Sequence, residues 1–256
     1  MLEIFDIVPV WLLLALTALC AGFIDAVVGG GGLLTVPALL STGMPPHMVL
    51  GTNKFASTFG TATASYTFYR NKLFSPALWR SCIISTFIGA LIGTIAVYLV
   101  SGDILEKLLP LLIISTAIYT LFQRPPIHKK IDDNFEPCTV KQAMQGGFLG
   151  FYDGFAGPGT GAFWTVSSQI LYKVELLVSC GVARSMNFVS NLTALVTFAI
   201  LGQVDYKTGL LMACCLMTGS LIGAKTAIRF GAKFIRPLFI SVVLIISCKL
   251  AWGAWF

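Results

Sequence analysis

Residues 22–37 of this chain, Gly-Phe-Ile-Asp-Ala-Val-Val-Gly-Gly-Gly-Gly-Leu-Leu-Thr-Val-Pro, set an aspartate and four consecutive glycines inside a run apolar enough for a bilayer. Each glycine in a helix interior costs about 1 kcal/mol relative to alanine, so Gly29, Gly30, Gly31 and Gly32 together mark a place where the helix stops. Hydrocarbon offers no partners to backbone N–H and C=O groups that leave a helix. Such a break is tolerated only where protein buries it or a watery cavity runs beside it. The pattern occurs twice: Gly22, Phe23, Asp25, Gly29 and Gly31 recur as Gly150, Phe151, Asp153, Gly157 and Gly159. Glycines that merely let two helices pack closely are the plainer reading. The repetition, together with Pro158 and Thr160, favours a break.

The surroundings fix the class. The 256 residues are 56% hydrophobic and 11% charged, with a mean hydropathy of +0.85, against roughly 25% charged in an average soluble domain. Apolar runs of about 20 residues, the length that spans a bilayer as a helix, fill nearly the whole chain. An all-α integral membrane protein is expected. The first run follows Glu3 and Asp6 rather than a basic stretch and continues into the glycines, so it is not expected to be a cleaved signal peptide. The net charge of +6 belongs to basic residues flanking the spans and implies no nucleic-acid partner. Seven cysteines without a C-x-x-C pair suggest buried small residues, neither a disulfide frame nor a metal site.

Apolar segments are expected near 8–28, 33–48, 49–69, 76–100 and 104–122, then a polar linker over 123–140. The second half gives 141–157, 161–172, 177–201, 208–225 and 235–256. If the short segments after the glycines do not cross, loop Lys and Arg divide eight to six between the two sides. If they do, Arg70, Lys72, Arg80, Arg124, Lys129, Lys130, Lys141, Lys173, Lys225, Arg229, Lys233 and Arg236 share one side. Only Lys107 and Lys207 then lie on the other. Twelve to two is the bias that places the majority in the cytoplasm, with ten crossings and both termini periplasmic. Five segments per half then make the halves, 1–122 and 141–256, inverted repeats, each with a Gly-broken helix and a short half-helix. Gly51/Gly181, Thr63/Thr193, Phe68/Phe198, Gly89/Gly219 and Gly93/Gly223 keep a constant offset of 130 across 43 positions. Inverted repeats with broken helices in matching places are the pattern of secondary transporters, whose site lies near the midplane.

The chemistry gathers at the same places. New helices beginning near Leu33 and Gly161 would point free N–H groups and positive dipole ends at an anion. Lys54 and Arg184 are repeat mates at the offset of 130 and lie deep in apolar runs, where a charge costs about 2.5–3.5 kcal/mol. They either meet an anion or pair with Asp25 and Asp153. Those aspartates are either proton carriers or structural groups bonded to the break. Asn53 and Ser57 share a helix face, as do Asn187 and Asn191. They would donate to oxyanion oxygens or join helices as polar glue. Lys249, close to Trp252 and Trp255, is expected to snorkel to the interface. His47 and His128 have no triad or ligand spacing around them, and no Gly-Lys-Ser or Gly-Lys-Thr follows the glycines, so an enzyme is not expected.

Gly22-Phe-Ile-Asp-Ala-Val-Val-Gly-Gly-Gly-Gly, Thr35-Val-Pro37, Gly51-Thr-Asn-Lys54 and Asn187-Phe-Val-Ser-Asn191 resemble the TauE/SafE sulfite exporter family of bacterial membrane proteins over essentially the whole chain. The resemblance implies a bacterial inner-membrane transporter of small sulfur-containing or organic anions, such as sulfite or sulfoacetate; no cofactor is expected. Gly29 to Gly32, Thr35, Asn53 and Lys54 match its first motif, and Asp153, Gly157, Gly159, Asn187 and Asn191 its second. Arg184 stands where many relatives are expected to carry lysine, and its planar fork suits bidentate oxyanion contacts. The expected partners are a small anion and membrane lipids, with a homo-oligomer open. The reading is a secondary carrier working by alternating access, with Asp25 and Asp153 as proton-coupling candidates. Its rivals are a passive anion channel, an intramembrane enzyme acting on a lipid or phosphate ester, and a non-transporting assembly partner.

Overall fold

A computed structural model describes residues 9–122 and 136–231. Among them are nine helices and no strand: α1 Val10–Val27, α2 Gly32–Leu40, α3 Pro46–Arg70, α4 Arg80–Tyr98, α5 Gly102–Phe122, α6 Thr139–Phe155, α7 Thr160–Tyr172, α8 Leu176–Ile200 and α9 Tyr206–Phe230. By length and composition α1, α4 and α9 can cross a membrane, with mean hydropathies of 2.2, 1.9 and 1.5. The equally long α3 and α8 carry too many polar residues for that criterion, and the fold explains why they can. Thr52, Asn53, Lys54, Thr58 and Thr61 on α3, and Arg184, Asn187, Ser190 and Asn191 on α8, are all buried. The two helices pack on each other, with α9 on α3 and both α4 and α7 on α8.

The remaining packing joins distant parts of the chain. α1 lies on α9 and α6 lies on α4. Both contacts are backbone against backbone, because glycines stand at the crossings. A methyl group on Gly22 would strike the Leu216 carbonyl, and one on Gly150 the Thr86 carbonyl.

Helix ends collect at two opposite faces. At one, Gly51 near the start of α3 lies on the Gln203 carbonyl, and His47 contacts the Val97 carbonyl at the end of α4 at 3.3 Å. At the other, Gly181 near the start of α8 lies on the Leu73 carbonyl, and Lys141 on α6 donates to Leu171 O at the end of α7. Among the described residues the second face carries Arg70, Lys72, Arg80, Lys141, Lys173, Lys225 and Arg229, the first only Lys107 and Lys207.

Both helix breaks are present. α1 ends at Val27 and α2 starts at Gly32; α6 ends at Phe155 and α7 starts at Thr160. Gly29 at φ +91° and Gly157 at φ +90° turn the chain through left-handed conformations that only glycine adopts without strain. At 1.5 Å per residue, the 9 residues of α2 extend roughly 14 Å, about half a bilayer core.

Several boundaries differ from the sequence expectation. The segment predicted over 33–48 is a helix only to Leu40; Pro46 begins α3, preceded by the extended Pro45 at ψ 142°. Ser41, Thr42 and Gly43, the last at φ +78°, form the turn that ends α2, and a residue before proline is pushed out of the α region, which keeps Pro45 extended. α6 begins at Thr139, inside the predicted linker, and α9 runs five residues past 225. Residues 123–135, the predicted segment 235–256 and Lys249 lie outside the described residues.

Candidate functional site

The two breaks meet. The Ala162 N–H, in the first turn of α7, donates to the Gly29 carbonyl at 2.9 Å. Pro158 lies against Gly32, and Gly161 lies against Gly29. The first turns of α2 and α7 therefore share one centre, and between them is a cavity of about 30 Å³. At roughly 10–15 Å³ per water, that is room for about two water-sized groups.

Most of the residues singled out from sequence line this space: Asp25, Gly29, Gly31, Gly32, Asn53, Lys54 and Ser57 from the first half, and Asp153, Gly157, Gly159, Thr160, Asn187 and Asn191 from the second. Gly30, Thr35 and Arg184 do not. Gly30 is buried within the turn, and Thr35 bonds Asn53 Oδ1 at 2.6 Å behind the lining. Arg184 packs behind Gly29 and Gly161, where added methyl groups would meet its guanidinium at 2.6 and 2.7 Å.

The charges pair across the halves. Lys54 Nζ on α3 donates to Asp153 Oδ1 on α6 at 2.6 Å. Arg184 Nη1 on α8 lies 3.5 Å from Asp25 Oδ1 on α1 and donates to the Asp25 carbonyl. Each cation therefore neutralises the carboxylate of the other half, and in that sense the structural pairing weighed from sequence is present.

The pairs still leave donors over. Lys54 spends one N–H on Asp153 and one on Asn191 Oδ1 at 3.0 Å, and an ammonium has three. Asn191 must turn its carbonyl to a donor-only group, which leaves its NH2 unspent. The Gly31 N–H donates to Asp25 Oδ1 at 3.1 Å, but no hydrogen bond among the described residues uses the N–H of Gly32 or Gly161. A neutral, polar-lined space edged by unspent N–H donors at two helix N-termini has the electrostatics that favour an anion.

The two aspartates differ. Asp153 is closed in, its second oxygen accepting from Ser190. The Asp25 side chain is 16% exposed against 4% for Asp153.

Comparison with known proteins agrees with the motif resemblance. The profile of the family described as Sulfite exporter TauE/SafE matches residues 14–250. The chain belongs to that family. A probable membrane transporter protein of Haemophilus influenzae is 36% identical over 241 residues, covering 92% of each chain. The probable membrane transporter protein YfcA of Escherichia coli K12 is 34% identical over 253 residues, 98% of this chain and 94% of its own. YunE of Bacillus subtilis, also described as a probable membrane transporter, is 23% identical over 270 residues. No solved structure matches. The family and relative names describe membrane transporters rather than enzymes, and with the apolar helices they make this a membrane protein.

Sequence reasoning left out Gly60, Leu216 and Ser220 from the lining and Thr165 beside Arg184, while Thr61 in the lining and Ser190 beside Asp153 stand in the polar runs of α3 and α8 without having been singled out as site residues. Ser190 and Gly60 stand at the offset of 130 from each other, a signal that was available. Leu216 and Ser220 enter only because α9 crosses α1, which no local pattern announces.

Proposed function

We propose that this chain is a secondary carrier of a small oxyanion, sulfur-containing or organic, across the bacterial inner membrane by alternating access. The observation that carries the reading is the meeting of two helix breaks around a polar-lined space with free N–H groups and a spare Lys54 donor. The family description and the names of the relatives support it, since they speak of export and membrane transport.

Two inverted repeats, 1–122 and 141–256, give the carrier its two-sidedness. Matched contacts support this. Gly22 and Gly150, at the motif offset of 128, rest on Leu216 and Thr86, at the offset of 130. Asp25–Arg184 and Asp153–Lys54 are mates at the same two offsets. With the basic face in the cytoplasm, the N-terminus lies in the periplasm. Lys54 supplies charge, Arg184 holds the Gly29–Gly161 crossing and Asp25, and Asn187 and Asn191 orient the anion. Asp25 is the better proton carrier of the two aspartates, because its side chain is the more exposed.

The test is a flux screen in liposomes with sulfite, sulfoacetate, sulfate and small carboxylates, repeated with Lys54→Ala and Arg184→Ala. Flux of at least one anion, accumulated uphill under a pH gradient and reduced ten-fold or more in Lys54→Ala, is expected. Downhill flux alone would make the protein a channel, and equal flux in both variants would remove the anion site.

A further inference from the structure

Seven buried side-chain atoms among the described residues meet no protein hydrogen-bond partner, and all belong to α6, α7 or α8. They are Gln145 Oε1, Trp164 Nε1, both amide atoms of Gln169, Tyr172 OH, Arg184 Nε and Asn187 Oδ1. Asn187 faces the cavity already described. The others trace a different path.

Trp164, Thr165, Ser168, Gln169 and Tyr172 recur on α7 at the spacing of one helix face, and all five are buried. At the inner end Thr165 Oγ1 accepts from Arg184 Nη2 at 3.5 Å. Midway, Gln145 on α6 gives its amide to Ser167 and Ser168 at 2.7 and 3.1 Å and keeps a spare oxygen. At the outer end Tyr172 stands edge-on to Trp79, ring centres 4.9 Å apart, beside Lys173 on the basic face. α2 offers nothing of the kind. At the motif offset of 128 the matching positions are Val36, Pro37 and Leu40 on α2 and Ser41 and Met44 beyond its end. The one hydroxyl there, Ser41, is exposed and spent on Ala38 O, and Val36 and Leu39 close into an apolar cluster with Leu14, Val49 and Met212.

Buried polar groups in folded proteins are paired with protein or with ordered water, and an enclosed polar seam holds water where an apolar one stays dry. Leaving six such atoms dry would consume a large part of a fold's stability. We infer that the buried face of α7 binds a file of ordered water leading from Arg184 to the basic face. The site is then hydrated toward one side of the membrane and sealed by apolar packing toward the other. The water stands on the unpartnered atoms alone; its use as the route by which anion or proton reaches the cytoplasm rests on the carrier reading.

Radiolytic hydroxyl labelling of the full chain in proteoliposomes tests it, because radicals formed from bound water mark the side chains beside that water. Trp164 and Tyr172 should be oxidised several-fold faster than Met212, a fully buried and intrinsically more reactive side chain on the sealed side. Gln169→Leu should cut labelling of both several-fold while exposed Trp11 is unchanged. Trp164 and Tyr172 as silent as Met212 would overturn the inference, whether or not the variant folds. Labelling that survives Gln169→Leu undiminished would also count against it. Intact labelling with no flux of any anion would instead sink the carrier reading and leave the water file standing.

Discussion

Lys54 sits 1% exposed between Asp153 and Asn191, and its stability role can be separated from its functional one. Lys54→Met strands a buried carboxylate, which costs about 3–5 kcal/mol, whereas replacing both partners with apolar groups is often neutral. Thermal unfolding in detergent should show Lys54→Met strongly destabilised and Lys54→Met/Asp153→Leu close to the parent. Flux should be lost in both. A double variant that regained flux would make the pair purely structural. Lys54 and Arg184 stand out in the sequence because charge in an apolar run must be accounted for. Their crossed partners do not, since the register says which residues are equivalent but not which half faces which.

At the scale of elements, the break at Gly29 is the most demanding piece of backbone. Its φ of +91° and its contact with Gly161 and Arg184 leave no place for a methyl group. Gly29→Ala should lower stability by about 1–3 kcal/mol and reduce flux more than Gly43→Ala, a change at another positive-φ glycine with open space around it. Wild-type flux in Gly29→Ala would show that the turn can relax.

α9 is held at its start by Asp205, whose carboxylate accepts from the Lys207 and Thr208 backbone and from Thr208 Oγ1. The Thr208 hydroxyl first, then the backbone N–H groups, hold its pKa below the usual aspartate value. A depressed carboxylate stabilises the fold above the unfolded pKa of about 3.9, and that contribution fades as pH falls through the lower folded value. The melting difference between wild type and Asp205→Ala should therefore be present at neutral pH and shrink in acid. A difference that grew in acid would contradict the cap.

Helix existence and the two breaks were legible because glycine, proline and hydropathy act locally. The end of α2 was not, because hydropathy taken over 33–48 averages across the turn residues Ser41-Thr42-Gly43 and Pro45-Pro46. Nor was the end of α9, where Lys225 and Arg229 cut the apolar run without ending the helix.

Over the whole molecule, the packing of α1 on α9 and α6 on α4 ties the halves together, and the helix ends collect at two faces of unequal charge. If the basic face is cytoplasmic, a cysteine at position 72 should react with an impermeant thiol reagent only from the cytoplasm. One at position 207 should react only from outside, both in a cysteine-free background. The reverse pattern would invert the orientation drawn from charge. What sequence could not supply at this scale is the depth of the half-helices and the contribution of α9 to the site, because both depend on how helices cross.

The most direct test of the site is thermal unfolding of the purified protein with and without oxyanion. A ligand at 100 times its Kd adds about 2.7 kcal/mol to the folded state. Sulfite or another small oxyanion should raise the melting temperature of the wild type by several degrees and leave that of Lys54→Met/Asp153→Leu unmoved. An equal rise in both proteins would contradict an anion held between the two broken helices.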